Sequence, residues 1–502
     1  MRLGIEYEVK KEPLKYDWKK LPVVMKRFPL LQKLEWCSKY AFEVCPNWYY
    51  DAQKLKDIPH PMPWELNAIA MLSILGEEYD NKLLDQRKFF AVVNAIRTAI
   101  LFHDGDDFES VMHHCVVGSQ MFYQTEVRVF LSRYYYIFTH PSVSLDKIVE
   151  EELGVSYRNL MGLAMFVWSC GVNGEPFMPV LGGLVHNKNV RIEDSFRKAV
   201  SVLSLTRQEF ISRQNKKIEL SPRGYLLADN VLEQYPFLRI EDSVTLPLPY
   251  LVKNAVTVGL LHRIATGRRI ELRNEIGKKV IEDYVCKIMK FSGFYDQVFP
   301  ERLYERKAKR SPDVIAFKDE ECVLIEVKFK EPILKLRSLQ PEDEQELDVA
   351  CAKAIEQLYR GIKEREKYLK EKHFDESHIY GLVVLFEEPK LSRYRIFECL
   401  KELHPDWTDE IFTYLKAHVR VVSLYDLEII SFRHHGVFNV LNHYRDNQDH
   451  VYDMSFFLLD KPEDGKLDIP DFDDMIEHII PGFSEMISDV RNETEKEILV
   501  NH

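Results

Sequence analysis

Apolar residues recur at three- and four-residue steps through most of the first 220 positions, the period of helices that bury one face. Leu21, Val24, Met25, Phe28, Leu31 and Leu34 mark a helix over 21–40 that Pro29 interrupts. The same period predicts helices over 64–75, 82–103, 108–123, 125–139, 144–153, 157–172, 191–202 and 207–218. The breaks fall at the 105–107 turn, at Pro141 and in the Gly/Pro-rich 171–183 stretch. Residues 4–9 alternate weakly, as a short strand does. Past Pro222 the rhythm shortens to a helix ending at Tyr235, a hairpin over 236–245, the rigid Leu246-Pro247-Leu248-Pro249 and a helix over 253–264. From 271 onward helix and strand signals alternate. A helix is predicted over 271–291, strands over 313–317 and 322–329, a long amphipathic helix over 349–371, and strands over 378–386 and 418–424. Turn residues from Pro462 to Pro470 open an acidic tail with helical stretches on either side of Pro481-Gly482.

The pattern predicts a mixed α+β protein in four parts. Residues 1–220 form a large all-α N-terminal domain, and 221–270 a connector with a short hairpin. Residues 271–430 form an α/β core whose central mixed sheet is flanked by helices, and 431–502 a helical, acidic extension.

Composition narrows the function classes. The 502 residues are 46% hydrophobic and 29% charged, as in ordinary soluble proteins. The longest apolar stretch, 160–172, is too short to span a bilayer, and the first residues lack the apolar core of a signal peptide. The expectation is a cytoplasmic protein with no membrane partner. The eight cysteines are scattered without a C-x-x-C pair, which argues against a zinc ribbon or a disulfide framework. No G-x-x-x-x-G-K-[ST] loop is present. The net charge of −12 argues against a general nucleic-acid coat protein but leaves room for a local basic groove.

The segment richest in chemistry is SPDVIAFKDEECVLIEVKFK, residues 311–330. Two strand-like runs flank the tetrapeptide Lys318-Asp319-Glu320-Glu321, read as a four-residue hairpin loop. With Phe317 facing Cys322, antiparallel register puts Asp313 opposite Glu326, their Cβ atoms about 4.5–5.5 Å apart. Two carboxylates so close repel each other unless a cation neutralises them. Lys328 follows Glu326 by two and shares its face. Val323, Ile325, Val327 and Phe329 point the other way, as on a half-buried strand. Basic residues crowd this region: Arg263, Arg268, Arg269 and Arg273, then Arg306, Lys307, Lys309 and Arg310, then Lys330, Lys335, Arg337, Arg360, Lys363 and Arg365.

Ser-Pro-Asp313, twelve residues, then Glu326-Val327-Lys328 resembles the motif of the PD-(D/E)XK nuclease superfamily, over about residues 270–430. The resemblance implies a restriction-endonuclease-like core and a metal-dependent nuclease, DNA ahead of RNA. Asp313, Glu326 and the Val327 carbonyl would hold Mg²⁺, with Mn²⁺ able to substitute, and Lys328 would assist catalysis. Gly277-Lys-Lys-Val-Ile-Glu282 resembles the helix that supplies a further acid in this superfamily. Glu282 takes that catalytic and metal-binding role, with Glu275 in reserve at i−7. The Gly277-to-Glu282 spacing is one residue longer than expected. In Ala354-Ile355-Glu356-Gln357, Gln357 sits where many members place a glutamine near the active site. The strand and helix around Val421–Leu427 resemble the closing portion of such a core. Nucleases joined to a large helical part also resemble restriction or anti-phage defence proteins, and that part is a candidate surface for a protein partner or homo-oligomer.

Plainer readings stand beside these. The Asp313/Glu326/Lys328 trio on an exposed hairpin is a cross-strand ion pair, Glu282 and Gln357 on solvated faces are ordinary helix polarity, and basic clusters are often solubilising surface. The competing function is a non-catalytic nucleic-acid-binding or regulatory scaffold on a nuclease-like fold. The His103–His114 group reads as a helix end and turn, and His434-His435 as polar packing.

Overall fold

Period-two runs become the central sheet of a mixed α+β fold. The computed structural model describes residues 20–41, 61, 63–78, 80–101, 126–172, 190–214, 230–241, 243–265, 270–329, 341–386, 393–446 and 467–480. The expected strand at 4–9, the helix at 108–123, most of the 171–183 loop, the His103–His114 group, Lys330, Lys335, Arg337 and the tail beyond 480 lie outside them.

The sheet contains β1 (Gln297–Pro300), β2 (Val314–Lys318), β3 (Glu321–Lys328), β4 (Ile379–Leu385) and β5 (Val419–Ser423), in the order β5-β4-β3-β2-β1. The pairs β1/β2 and β2/β3 are antiparallel, while β3/β4 and β4/β5 are parallel. Alternation sorts the side chains onto two faces. Val314, Ala316, Val323, Ile325, Leu382 and Val384 enter one apolar core, and Ile315, Phe317, Cys322, Leu324, Val383 and Leu385 another.

Helices cover both faces. Ile270–Glu275, the π-helical Ile276–Ile281 and Glu282–Phe291 run on as one rod, α1. It joins α5 (Leu424–Phe432) and the helices Val127–Thr139 and Tyr157–Val172 on the first face. The second face carries α2 (Pro341–Glu364), α3 (Arg393–Leu403) and α4 (Asp409–His418). A separate core gathers Leu30–Ala41, Pro63–Leu75 and Gln86–Leu101.

Several expectations are corrected. The N-terminal 220 residues are not all helical, because Ser204–Thr206 pairs in parallel with Phe237–Ile240, the first arm of the expected hairpin. That pairing partner is remote in sequence, so a three-residue strand leaves no local signal. The helix expected over 82–103 starts at Gln86, since the Asp85 carboxylate accepts the Lys88 N–H at 2.9 Å and caps it. The 253–264 helix is divided at Thr257. Strand β1 and helices α3 and α4 have no counterpart among the expected elements. β1 is short and ends in proline, and α3 buries only Ile396, Phe397 and Leu400. α2 begins at Pro341 and stops at Glu364, where the Tyr368 hydroxyl donates back to the Gly361 carbonyl at 2.8 Å and turns the chain. The apolar cores themselves run across the limits expected at 220 and 270.

Two differences bear on the site. Lys318 and Glu321 pair with each other, so the hairpin loop is the two residues Asp319-Glu320 rather than four. Asp319 adopts φ 48°, a left-handed conformation aspartate tolerates, and its N–H is held by the Asp296 carboxylate at 2.8 Å. Strand β3 is also not half-buried, because apolar layers cover both faces. Only Glu326 and Lys328, at its far end, interrupt the apolar run.

Among the described residues, no helix is long and apolar enough to cross a membrane.

Candidate active site

The antiparallel register of β2 and β3 pairs Phe317 with Cys322 and Val314 with Ile325, as the alternation requires. Asp313 directly precedes that ladder, and its carboxylate accepts the Val327 N–H at 2.8 Å. Glu326 is buried, at 8% exposure, and accepts a 2.9 Å bond from Lys328 Nζ. The same ammonium donates to Gln357 Oε1 at 2.8 Å. α2 thus presents Gln357 to the strand face bearing Glu326 and Lys328. The lysine is fixed by two acceptors on two different elements.

Glu282 arrives from α1. A π turn inserts one additional residue into a helix, and the turn at Ile276–Ile281 falls on the Gly277-to-Glu282 segment that is one residue too long. The rod lies close to β3 here, since a Cβ on Gly277 would stand 3.2 Å from Phe329 Cβ. The extra residue also rotates Glu275 away from Glu282, so the two do not share a face. Glu275 pairs with Lys279 at 2.7 Å among exposed groups, while the Glu282 side chain is largely buried beside Lys278 at 3.5 Å. Glu275 therefore leaves the candidate site.

Two residues overlooked in the sequence complete the surroundings. Glu301 follows β1 and is bracketed by Lys278 at 3.0 Å and Arg310 at 2.9 Å. Lys278 in turn bridges Glu301 and Glu282. The signal for Lys278 is its i,i+4 spacing to Glu282. Glu301 has none, because Pro300 hides the strand that delivers it.

The electrostatics are those of crowded acids. Burial, then the charge of Asp313, pushes Glu326 up to about 7, with Lys328 opposing. Burial and Asp313 likewise raise Glu282 to about 7 against Lys278. Asp313 is itself raised, chiefly by burial, although the Val327 N–H and Lys328 pull it down. Three carboxylates that resist ionising together are what a nearby divalent cation relieves.

The donor set suits a hard cation held by few protein ligands. Mg²⁺ is commonly bound through one or two carboxylates, the remaining positions being filled by water and phosphate. Asp313 and Glu326 each use one oxygen internally. Their other oxygens take no hydrogen bond from the described residues and are not sealed from solvent. Among the described residues, no three His, Cys, Asp or Glu side chains already converge on one ion position. The oxygens that could serve such a water-rich ion are those of Asp313 and Glu326, with the Val327 carbonyl and Glu282 as further candidates.

The basic surroundings are more heavily occupied than expected. Arg263 is half-buried against the Tyr235 ring, Lys309 pairs with Glu364 and Glu305, Arg310 with Glu301, Arg360 with Glu356, and Lys363 and Arg365 with Glu376. These carboxylate partners share the surface with the cations, so a count of basic residues along the chain overstates the free positive charge. Arg268 and Arg269 lie outside the described residues.

Two consequences are measurable. Gly361 on α2 faces Pro312, and a Cβ there would stand 2.9 Å from Pro312 Cγ. Gly361→Ala must push α2 and Pro312 apart, an overpacking cost of about 1–3 kcal/mol, and Pro312 carries Asp313 with it. The expected outcome is a lower melting temperature and a drop of roughly tenfold or more in any activity of the site, since small misplacements of reacting groups are costly. An unchanged melting curve with full activity rejects this role.

The second concerns pH in the absence of divalent metal. Glu282 and Glu326 are raised in the folded state above the ordinary glutamate value of 4.5. The folded chain therefore binds more protons than the unfolded one between about pH 4.5 and 7. Their contribution to stability is full below that window and is lost as pH rises through about 7. In EDTA, Glu326→Gln should flatten the fall in melting temperature between pH 5.5 and 7.5. A wild-type slope that the substitution leaves untouched rejects the repulsion.

Compared with protein families, with curated proteins and with solved structures, the chain finds no match in any of the three.

Proposed function

We propose that the chain is a Mg²⁺-dependent nuclease that hydrolyses phosphodiester bonds, DNA ahead of RNA, through a restriction-endonuclease-like core. The observation that carries this reading is the Asp313–Glu326 pair at the end of β3, with Lys328 fixed between Glu326 and Gln357. A structural ion pair requires neither two mutually repelling acids, one buried and one half-buried, nor a second acceptor holding the lysine. Asp313 and Glu326, aided by the Val327 carbonyl and Glu282, would hold the ion. A bound Mg²⁺ supplies Lewis-acid polarisation of a phosphate oxygen and a more acidic water.

The chain's own residues do the remainder. Lys328 places an ammonium beside the reacting phosphate, where negative charge grows during attack. Gln357 and Glu326 restrict that ammonium to one position, which lowers the entropic cost of reaching the reactive geometry. Lys278 keeps Glu282 and Glu301 from adding their full repulsion to the pair. The large helical part packed against the sheet is compatible, by analogy of architecture alone, with restriction or anti-phage defence. It remains the candidate surface for a protein partner or a second copy.

The test is incubation with supercoiled plasmid, linear duplex, single-stranded DNA and RNA in Mg²⁺ or Mn²⁺, with EDTA as control. Metal-dependent cleavage supports the reading. Binding without cleavage of any of the four favours the scaffold alternative.

A further inference from the structure

Between Glu301 and Asp313 the chain makes a small hairpin, Leu303–Tyr304 paired with Lys309–Arg310. Its tip is unusual. Glu305, Arg306 and Lys307 adopt φ of 47°, 55° and 72° in succession, with the Ala308 N–H closing back onto the Glu305 carbonyl at 3.1 Å. Left-handed backbone costs a non-glycine residue about 1–2 kcal/mol, and a run of three persists only where surrounding contacts enforce it. Here Lys309 and Lys367 hold Glu305, at 3.3 and 2.7 Å. Tyr304, Lys309 and Lys367 converge on Glu364, at 2.6, 2.7 and 2.8 Å.

This braced tip lines an open pocket of about 490 Å³ together with Lys367, Tyr368 and Lys370. Five cations line it (Arg302, Arg306, Lys307, Lys367 and Lys370) against the single carboxylate of Glu305, in a chain whose net charge is −12. The cations divide by task. Arg302 and Lys367 are held by Glu371, Glu305 and Glu364 and build the wall. Arg306, Lys307 and Lys370 are exposed and have no ion pair among the described residues. The strained backbone thus presents two unpaired cations over a pocket that a third enters from the segment after α2.

We propose that this pocket is a subsite for the phosphodiester backbone of nucleic acid, gripping the substrate a few nucleotides from the point of cleavage. It rests on the nuclease reading for the identity of that substrate. Glu301 lies beside the acid cluster and Glu305 is four residues further on, a span of at most about 14 Å in an extended chain. That corresponds to the axial rise of about four base pairs of a duplex. Contacts of this kind set register and orientation without reading sequence.

The experiment is fluorescence anisotropy of a labelled 20-base-pair DNA duplex in EDTA, where no metal-dependent cleavage occurs, between 50 and 200 mM salt. Wild type is compared with the Arg306→Ala/Lys307→Ala/Lys370→Ala variant. These side chains are exposed, and circular dichroism checks the fold. The variant should bind at least tenfold more weakly at 50 mM salt. Its slope of log K against log salt should be shallower by about 2.7, three contacts at about 0.9 each. A 20-nucleotide single strand and an RNA duplex identify the preferred backbone, and 10 mM inorganic phosphate is the competitor. Equal affinity and slope for variant and wild type overturn the subsite. So does complete displacement of the duplex by inorganic phosphate, which identifies a free-anion site. Failure of the nuclease reading is distinct: wild type binds with the expected slope, the variant loses it, and Mg²⁺ produces no cleavage.

Discussion

Asp313→Asn should lower metal-dependent cleavage by at least about 10³-fold while leaving the metal-free protein as stable as wild type or more so. The two halves of that result have one cause. Asp313 and Glu326 are brought together by strand register, and burial opposes the ionisation of both. Neutralising Asp313 relieves the repulsion, so the metal-free melting temperature at pH 7.5 should hold or rise by a degree or two, as happens when a site is kept at the expense of stability. The same change removes a cation ligand, and with it the activation of water. Lys328→Ala should lower cleavage by about 10²–10³-fold, the cost typical of one stabilising group lost from a transition state. It differs from Asp313→Asn in stability, since it leaves Glu326 without its ammonium and should lower the melting temperature. A single-turnover assay and thermal melts in EDTA and in Mg²⁺ read all four values. If Asp313→Asn cuts as well as wild type, the acid pair has no part in catalysis.

The second large effect concerns the join between the helical half and the sheet. Arg133, on the helix Val127–Thr139, donates from both Nε and Nη2 to Glu428 of α5, the Nε–Oε1 distance being 2.8 Å. Tyr284 of α1 donates to the same carboxylate at 2.7 Å. Arg133 is 3% exposed and Glu428 is fully buried. Arg133→Met leaves a buried carboxylate with one hydroxyl donor, and breaking such a pair costs about 3–5 kcal/mol. The double variant Arg133→Met/Glu428→Met should recover most of that loss, because two well-packed apolar side chains commonly replace a buried pair at little cost. Urea unfolding of the single and double variants gives the comparison. A single variant within about 1 kcal/mol of wild type, well short of the loss expected for a broken buried pair, shows that the pair does not hold these layers together. Tyr284 stands two residues beyond Glu282, so loosening this network should also weaken any activity that depends on the placement of α1.

How much of this is legible in the chain varies with the range of the interaction. The strand pair β2/β3, its register and the shared face of Glu326 and Lys328 follow from alternation, because a period of two leaves a short hairpin only one register that buries its apolar residues. The helices Tyr157–Val172 and Val190–Val202 follow from an equally local rule. The size of the hairpin loop does not. Asp296, in the segment between α1 and β1, accepts the Asp319 N–H and supports its left-handed turn, a contact that no local pattern announces.

Neighbour-to-neighbour chemistry alone was enough to set Asp313 against Glu326, to choose the side on which Lys328 stands and to make most of the first half helical. Each of these depends on residues a few positions apart. Long-range packing settled the rest. It put Gln357 on Lys328, delivered Glu301 just past an edge strand without a sequence signal, and tied most of the described cations around the site to carboxylates. The Lys328–Gln357, Lys278–Glu301 and Lys309–Glu364 contacts join elements distant in the chain, and the free energy that selects them comes from packing and charge pairing between those elements. No local period records that energy.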